Sequence, residues 1–129
     1  MKKELAVITH MKDLCNYIFV ITDKSPKKFR LTLVSRMQNM SLDIMENLLR
    51  ANAVYVRNGE DISRIQRRQG YQREGFVSLK MLGYLVLLAR EQQCILPKQY
   101  EQISIQAEQV NRLLVAWARS DQKRYKGCD

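Results

Sequence analysis

Apolar residues recur every three or four positions along most of the chain and no stretch sustains a two-residue alternation, so the pattern predicts helices and no strands. The longest ladder lies in residues 25–59, where Phe29, Leu33, Met37, Met40, Ile44, Leu48, Ala51 and Tyr55 follow one another at steps of three or four. That spacing draws one stripe along a helix of about 30 residues and roughly 45 Å. Ser25 is placed to cap it and Pro26 to begin it, while Gly59 after Asn58 is placed to end it in the left-handed conformation.

Three further helices complete the reading. The first spans residues 3–22, with Leu5, Ile8, Cys15, Ile18 and Phe19 as inward candidates. The second is the long one, at 26–57. The third, at 61–93, keeps heptad spacing through Ile62, Ile65, Phe76, Leu79 and Val86 only if Gln69, Gln72 and Gly83 fill the gaps. Gly70 and Gly75 each cost roughly 1 kcal/mol against alanine in a helix interior. The segment around them is therefore expected to fray or kink, or to be a flexible basic stretch that orders on a partner. The fourth helix, at 97–121, carries the unbroken ladder Tyr100, Ile103, Ala107, Val110, Leu114, Trp117 and Asp121, followed by a loose polar tail at 122–129. Short connections favour neighbours that run in opposite directions. The expected fold is a single all-α domain over residues 1–129, an antiparallel up-down-up-down four-helix bundle. Val34, Met45, Leu49 and Leu113 lie off the main stripes, which gives more apolar face than one bundle requires and points to self-assembly.

Charge changes the picture from a bundle to a bundle with a polyanionic partner. Twenty-two Lys and Arg stand against 13 Asp and Glu, a net charge of +9, and residues 24–57 alone carry seven basic and two acidic side chains. Lys27 and Lys28 fall in the first turn of the long helix, where a cation opposes the macrodipole by about 0.3–1 kcal/mol. Folding does not ask for them there. The candidate contacts to nucleic acid or an acidic protein are Lys27, Lys28, Arg30, Arg36, Arg64, Arg67, Arg68, Arg73, Lys80, Arg112, Arg119, Lys123 and Arg124. Tyr71 and Tyr125 could stack on unpaired bases, whereas Tyr17, Tyr55, Tyr84 and Tyr100 lie on or near apolar stripes and read as core. Trp117 reads as core or subunit contact.

Catalytic chemistry finds little support. His10 is the only histidine, and Cys15, Cys94 and Cys128 are an odd set without a CxxC pair, so no metal site or nucleophilic triad can be assembled. Asp43 and Glu46 read as surface counterions to Arg36 and Arg50, and no phosphate-binding glycine loop occurs. The expectation is a non-enzymatic protein without cofactor or metal. The longest uncharged apolar run, residues 81–89, is far short of the roughly 20 residues a membrane span needs. With no signal-like apolar segment after Met1, a cytoplasmic location is expected.

The succession SPKKFRLTLVSRMQN, LKMLGYLVLLAREQ, LPKQYEQIS and LLVAWARSD resembles the Avd-like four-helix bundle proteins, the accessory variability determinants of diversity-generating retroelements. The resemblance runs from about Leu14 to Arg124. A sister group, encoded in intervening sequences of 23S ribosomal RNA genes, shares the bundle but differs where this chain has DIMENLLRANAVYV. The resemblance implies a basic, barrel-like homopentameric ring that binds the retroelement reverse transcriptase and its template RNA in mutagenic homing. It also implies a reverse-transcriptase or RNA contact at Lys80, within Leu79–Leu82, and matches Trp117 and Arg119 to a family tryptophan followed by a basic tail. Two alternatives stay open: a bundle protein associated with those ribosomal intervening sequences, and a structural oligomer whose charge serves solubility. Salt-sensitive binding of RNA and DNA with little sequence preference separates the retroelement and ribosomal readings from the structural oligomer.

Overall fold

The computed structural model describes residues 4–126. Among them are four α-helices and no strand: α1 (Ala6–Thr22), α2 (Ser35–Ala53), α3 (Ile62–Glu91) and α4 (Pro97–Lys126). Helices α1 and α3 each pack against both α2 and α4. All four therefore surround one core, built from Met11, Leu14 and Ile18 of α1, Met37, Ile44 and Leu48 of α2, Leu82 and Val86 of α3, and Ile103, Val110 and Leu114 of α4. Burying each such side chain stabilises the fold by about 1.5–3 kcal/mol before entropy is counted.

In α1, Ile8, Cys15 and Ile18 face inward as expected and Leu5 is half-buried, but Phe19 is on the exposed side. The buried face is centred on Met11, Leu14 and Ile18, and Phe19 lies one residue, about 100°, off it. Polar contacts tie α1 to α2. Cys15 Sγ donates to the Ser41 carbonyl at 3.3 Å, and Gln38 Nε2 donates to Thr22 Oγ1 at 3.0 Å.

The long second helix departs most from expectation. Ser25 does not cap it: Pro26 has an extended ψ of 138°, and Ser25 Oγ is buried without a hydrogen-bond partner. A 3-10 turn, Lys27–Phe29, leads into a π turn, Arg30–Val34, before α2 begins at Ser35. Val34, the last residue of the π turn, is buried and not part of an outer apolar face. At the other end α2 stops at Ala53, four residues early. Val54, Tyr55 and Val56 favour extended backbone, and Val54 adopts it with ψ 108°. Tyr55, expected on the inner stripe, is consequently 69% exposed. Gly59 does not take a left-handed conformation; no glycine among the described residues has positive φ. Instead, Asn58 Oδ1 accepts from the Glu60 amide at 2.9 Å and shapes the turn.

Helix α3 runs unbroken through both glycines expected to weaken it. A Cβ on Gly75 would stand 3.1 Å from Leu48 Cδ2, so the missing side chain lets α2 and α3 approach closely; Gly70 has no neighbour within 4 Å of that position. The heptad filler Gln72 is buried, but Ile62 and Gly83 are exposed. The helix closes at Gln93, whose φ of 62° turns the chain so that the Cys94 amide reaches the Ala89 carbonyl at 2.8 Å. Tyr84, expected near the core, is exposed.

The α4 ladder appears as read, with Ile103, Val110, Leu114 and Asp121 buried and Tyr100, Ala107 and Trp117 half-buried. The tail does not start at residue 122. Helix α4 continues to Lys126 because Tyr125 extends the ladder by one more turn and is itself buried.

Candidate nucleic-acid interface

The α3–α4 contact fixes the frame on which the cations are displayed. Arg68 and Gln72 stand one turn apart on α3, and Asp121, 1% exposed, faces them from α4. Arg68 Nε donates to Asp121 Oδ2 at 2.6 Å and Nη2 to Oδ1 at 3.1 Å, a bidentate pair, and Gln72 Nε2 donates to Oδ2 at 2.9 Å. The remaining guanidinium nitrogen, Nη1, donates to the Val54 carbonyl at 3.2 Å, and the Trp117 ring lies 5.1 Å from the guanidinium carbon. All three guanidinium nitrogens of Arg68 donate inside the protein. Sequence placed Arg68 on the basic surface; the structure turns it inward as a brace, because its partner at Asp121 lies 53 residues away in the chain.

One turn earlier on α3, Arg64 Nη1 donates to the Tyr55 carbonyl at 3.3 Å. Two arginines of one helix thus hold the extended segment after α2 by its backbone, leaving the Tyr55 side chain outside. The result is a cleft of about 410 Å³ between the end of α2 and the start of α3, whose polar and aromatic lining is Arg50, Tyr55, Arg64, Arg67 and Tyr71. A second hollow of about 510 Å³ shares Tyr55 and Arg64 with it and adds Arg57 and Asn58 together with the carboxylates of Glu60 and Asp61. Glu46 lies 3.2 Å from Arg50, and this hydrogen-bonded carboxylate, followed by Tyr71, strengthens the hold of Arg50 on its proton. Asp61 lies 3.6 Å from Arg64. Arg67 is exposed and makes no ion pair among the described residues.

A groove of about 320 Å³ between α3 and α4 brings together two more of the expected residues, Arg73 and Arg119, with the amides of Gln69, Gln72 and Gln122 beside them and Phe76 and Leu114 on the apolar side. The remaining candidates are dispersed. Lys27 and Lys28 are in the 3-10 turn, Arg30 in the π turn and Arg36 at the start of α2, all exposed, and Arg36 is about 20 Å along the helix from Arg50. Lys80 is exposed with Nζ 4.7 Å from the Phe76 ring centre. Arg112 pairs with Glu108 at 3.3 Å, and Lys123 and Arg124 lie exposed on the last turns of α4. Arg50 and Arg57 read from sequence as outward cations of the long helix but not as site residues, and Tyr55 read as core. The signal that could have found them is the Val54-Tyr55-Val56 triplet, which ends the helix and turns the tyrosine outward. Tyr125 was expected to be available for stacking; buried at 7% exposure, it is not. Its hydroxyl is pushed above its ordinary pKa by burial and by Asp121.

No helix among the described residues is long and apolar enough to cross a membrane. No group of three or more His, Cys, Asp or Glu among them is placed to hold a metal. No curated protein sequence matches the chain. The family model described as bAvd-like matches residues 5–121, a span that contains α1, α2, α3, the Arg68–Asp121 brace and the basic cleft, and the chain accordingly belongs to the bAvd-like family.

Proposed function

We propose that this protein is a non-enzymatic, cytoplasmic accessory subunit of a diversity-generating retroelement, which binds the reverse transcriptase and its template RNA to support mutagenic cDNA synthesis. The observation that carries the reading is the convergence of Arg50, Arg57, Arg64 and Arg67 with Tyr55 and Tyr71 around adjoining hollows at one end of α2 and α3. Guanidinium groups meet phosphates, tyrosine faces meet bases, and no base-reading element accompanies them. Family membership supports the retroelement context. The four helices are read as running up-down-up-down; the contacts Cys15–Ser41 and Thr22–Gln38 across α1 and α2, and Arg68–Asp121 and Arg90–Tyr100 across α3 and α4, support that direction. Five copies in a ring are the proposed assembly.

Binding of RNA should weaken linearly with salt on a log-log scale, with a slope of about −0.7 per phosphate neutralised on a single strand. Reversing Arg73 and Lys80 to glutamate, both exposed, should leave a folded helical protein and abolish co-purification with the cognate reverse transcriptase. Salt-independent RNA binding would contradict the electrostatic reading, and full co-purification of the double reversal would remove this face from the partner contact.

A further inference from the structure

Tyr55 is an unusual residue to leave outside. It is 69% exposed, yet its backbone is fixed: Arg64 donates to the Tyr55 carbonyl and Arg68 to that of Val54. Arg68 is in turn locked by Asp121. A large aromatic ring is therefore presented to solvent from a segment tied to α3 at two successive carbonyls. Across the same cleft stands Tyr71, half-buried on α3, with Arg50, Arg64 and Arg67 completing the lining.

We infer that this cleft is a single-strand site, which takes an unpaired nucleotide with its base on Tyr55 and Tyr71 and its flanking phosphates on Arg64 and Arg67. The inference rests on the nucleic-acid reading above and narrows it to unpaired segments of the strand. A base inside a duplex has both faces covered by its neighbours, so it can meet the guanidinium groups but not the rings; only an unpaired base can use both. A partner recognised through charge alone, such as an acidic protein segment, would use the arginines and leave Tyr55 without a role. Holding the ring on a braced segment also lowers the ordering cost of binding.

The test compares a 12-nucleotide unstructured RNA with a blunt RNA duplex in fluorescence anisotropy at fixed salt. Three proteins are used: wild type, Tyr55→Ala and Tyr55→Phe. Because Tyr55 is exposed and its contacts to α3 are made by backbone, neither variant should alter the far-ultraviolet circular dichroism. The wild type is expected to favour the single strand, Tyr55→Ala to weaken single-strand binding by about fivefold or more while leaving duplex binding unchanged, and Tyr55→Phe to retain the preference. Equal affinity of Tyr55→Ala and wild type for the single strand would overturn the site while leaving electrostatic binding in place. The same holds if poly-glutamate of matched charge competes as well as the oligonucleotide. Absence of binding to either RNA at low salt would overturn the nucleic-acid reading itself.

Discussion

Arg68 Nε lies 2.6 Å from Asp121 Oδ2, and the two side chains are 11% and 1% exposed. The pair joins α3 to α4 at the level where Arg68 also holds the segment following α2. Removing one partner of a buried pair leaves the other charge unpaired, which costs about 3–5 kcal/mol, whereas replacing both with apolar residues of similar size is often neutral. Asp121→Ala should therefore lower the melting temperature steeply. Arg68→Met with Asp121→Leu should recover most of the loss. Recovery in stability without recovery of RNA affinity would separate the brace from the cleft it orders, since the Val54 carbonyl loses its Arg68 donor in the double variant.

Gly70 and Gly75 are five residues apart in one helix but have opposite surroundings. Nothing stands within 4 Å of a Cβ at Gly70, so Gly70→Ala should stabilise the protein by about 0.5–1 kcal/mol through helix propensity alone. At Gly75 a valine would be forced against Leu48, itself fully buried, and overpacking of that kind costs about 1–3 kcal/mol. Thermal unfolding of the two variants should shift in opposite directions. A stabilising Gly75→Val would show that the α2–α3 contact is looser than its geometry.

Cys15 and Cys94 are both buried, and burial pushes both thiols above their ordinary pKa. Folding thus favours the protonated form. Below the ordinary thiol pKa of the unfolded chain that contribution is fully present; above it the unfolded chain releases thiol protons first, and stability falls as pH rises toward the folded values. Alkylation by iodoacetamide at pH 8 should spare both residues in the native protein and reach both in denaturant, read by peptide mass spectrometry. Cys128 lies outside the described residues. Rapid native labelling of Cys15 or Cys94 would indicate that the core opens locally.

Periodicity made the helices legible because a core-facing stripe repeats in sequence whenever it repeats in space. The α4 ladder from Tyr100 to Asp121 is the clearest case, and even its polar last member is buried as the spacing required. What periodicity could not show was the chemistry between helices. Gln72 looked like a gap in the α3 heptads and is a buried donor to Asp121; Arg68 looked like one cation among many and is the brace. Tyr55 continued the α2 ladder in register, but the two valines beside it and the two arginines that hold its segment end the helix before it. The first two depend on a partner about 50 residues away in the chain, and the third on its own neighbouring valines together with the start of α3.

The outward side of α3 carries a second apolar stripe, in a segment whose apolar run at 81–89 reads from sequence as buried helix. Val77, Met81, Tyr84 and Leu88 follow steps of four, three and four, and at about 100° per residue they fall opposite the core residues Leu79, Leu82 and Val86. All four are exposed, and Tyr84 is 78% so. Of the off-stripe residues expected to drive assembly, Leu49 is exposed beside Leu42 on α2, while Met45 and Leu113 are half-buried against the core. A helix apolar on two opposite faces needs two partners, and within the subunit α3 packs on α2 and α4 with only one of them. If a second copy covers the outer stripe, Tyr84→Glu should convert the oligomer to a smaller species while leaving the subunit fold intact. The expected change in subunit stability is within about 0.5 kcal/mol, since the position is on the surface. Multi-angle light scattering at micromolar concentration reads the mass, and circular dichroism reads the helices. An unchanged mass for Tyr84→Glu, with dissociation for Leu49→Glu, would place the subunit contact on α2; a monomeric wild type would exclude the ring.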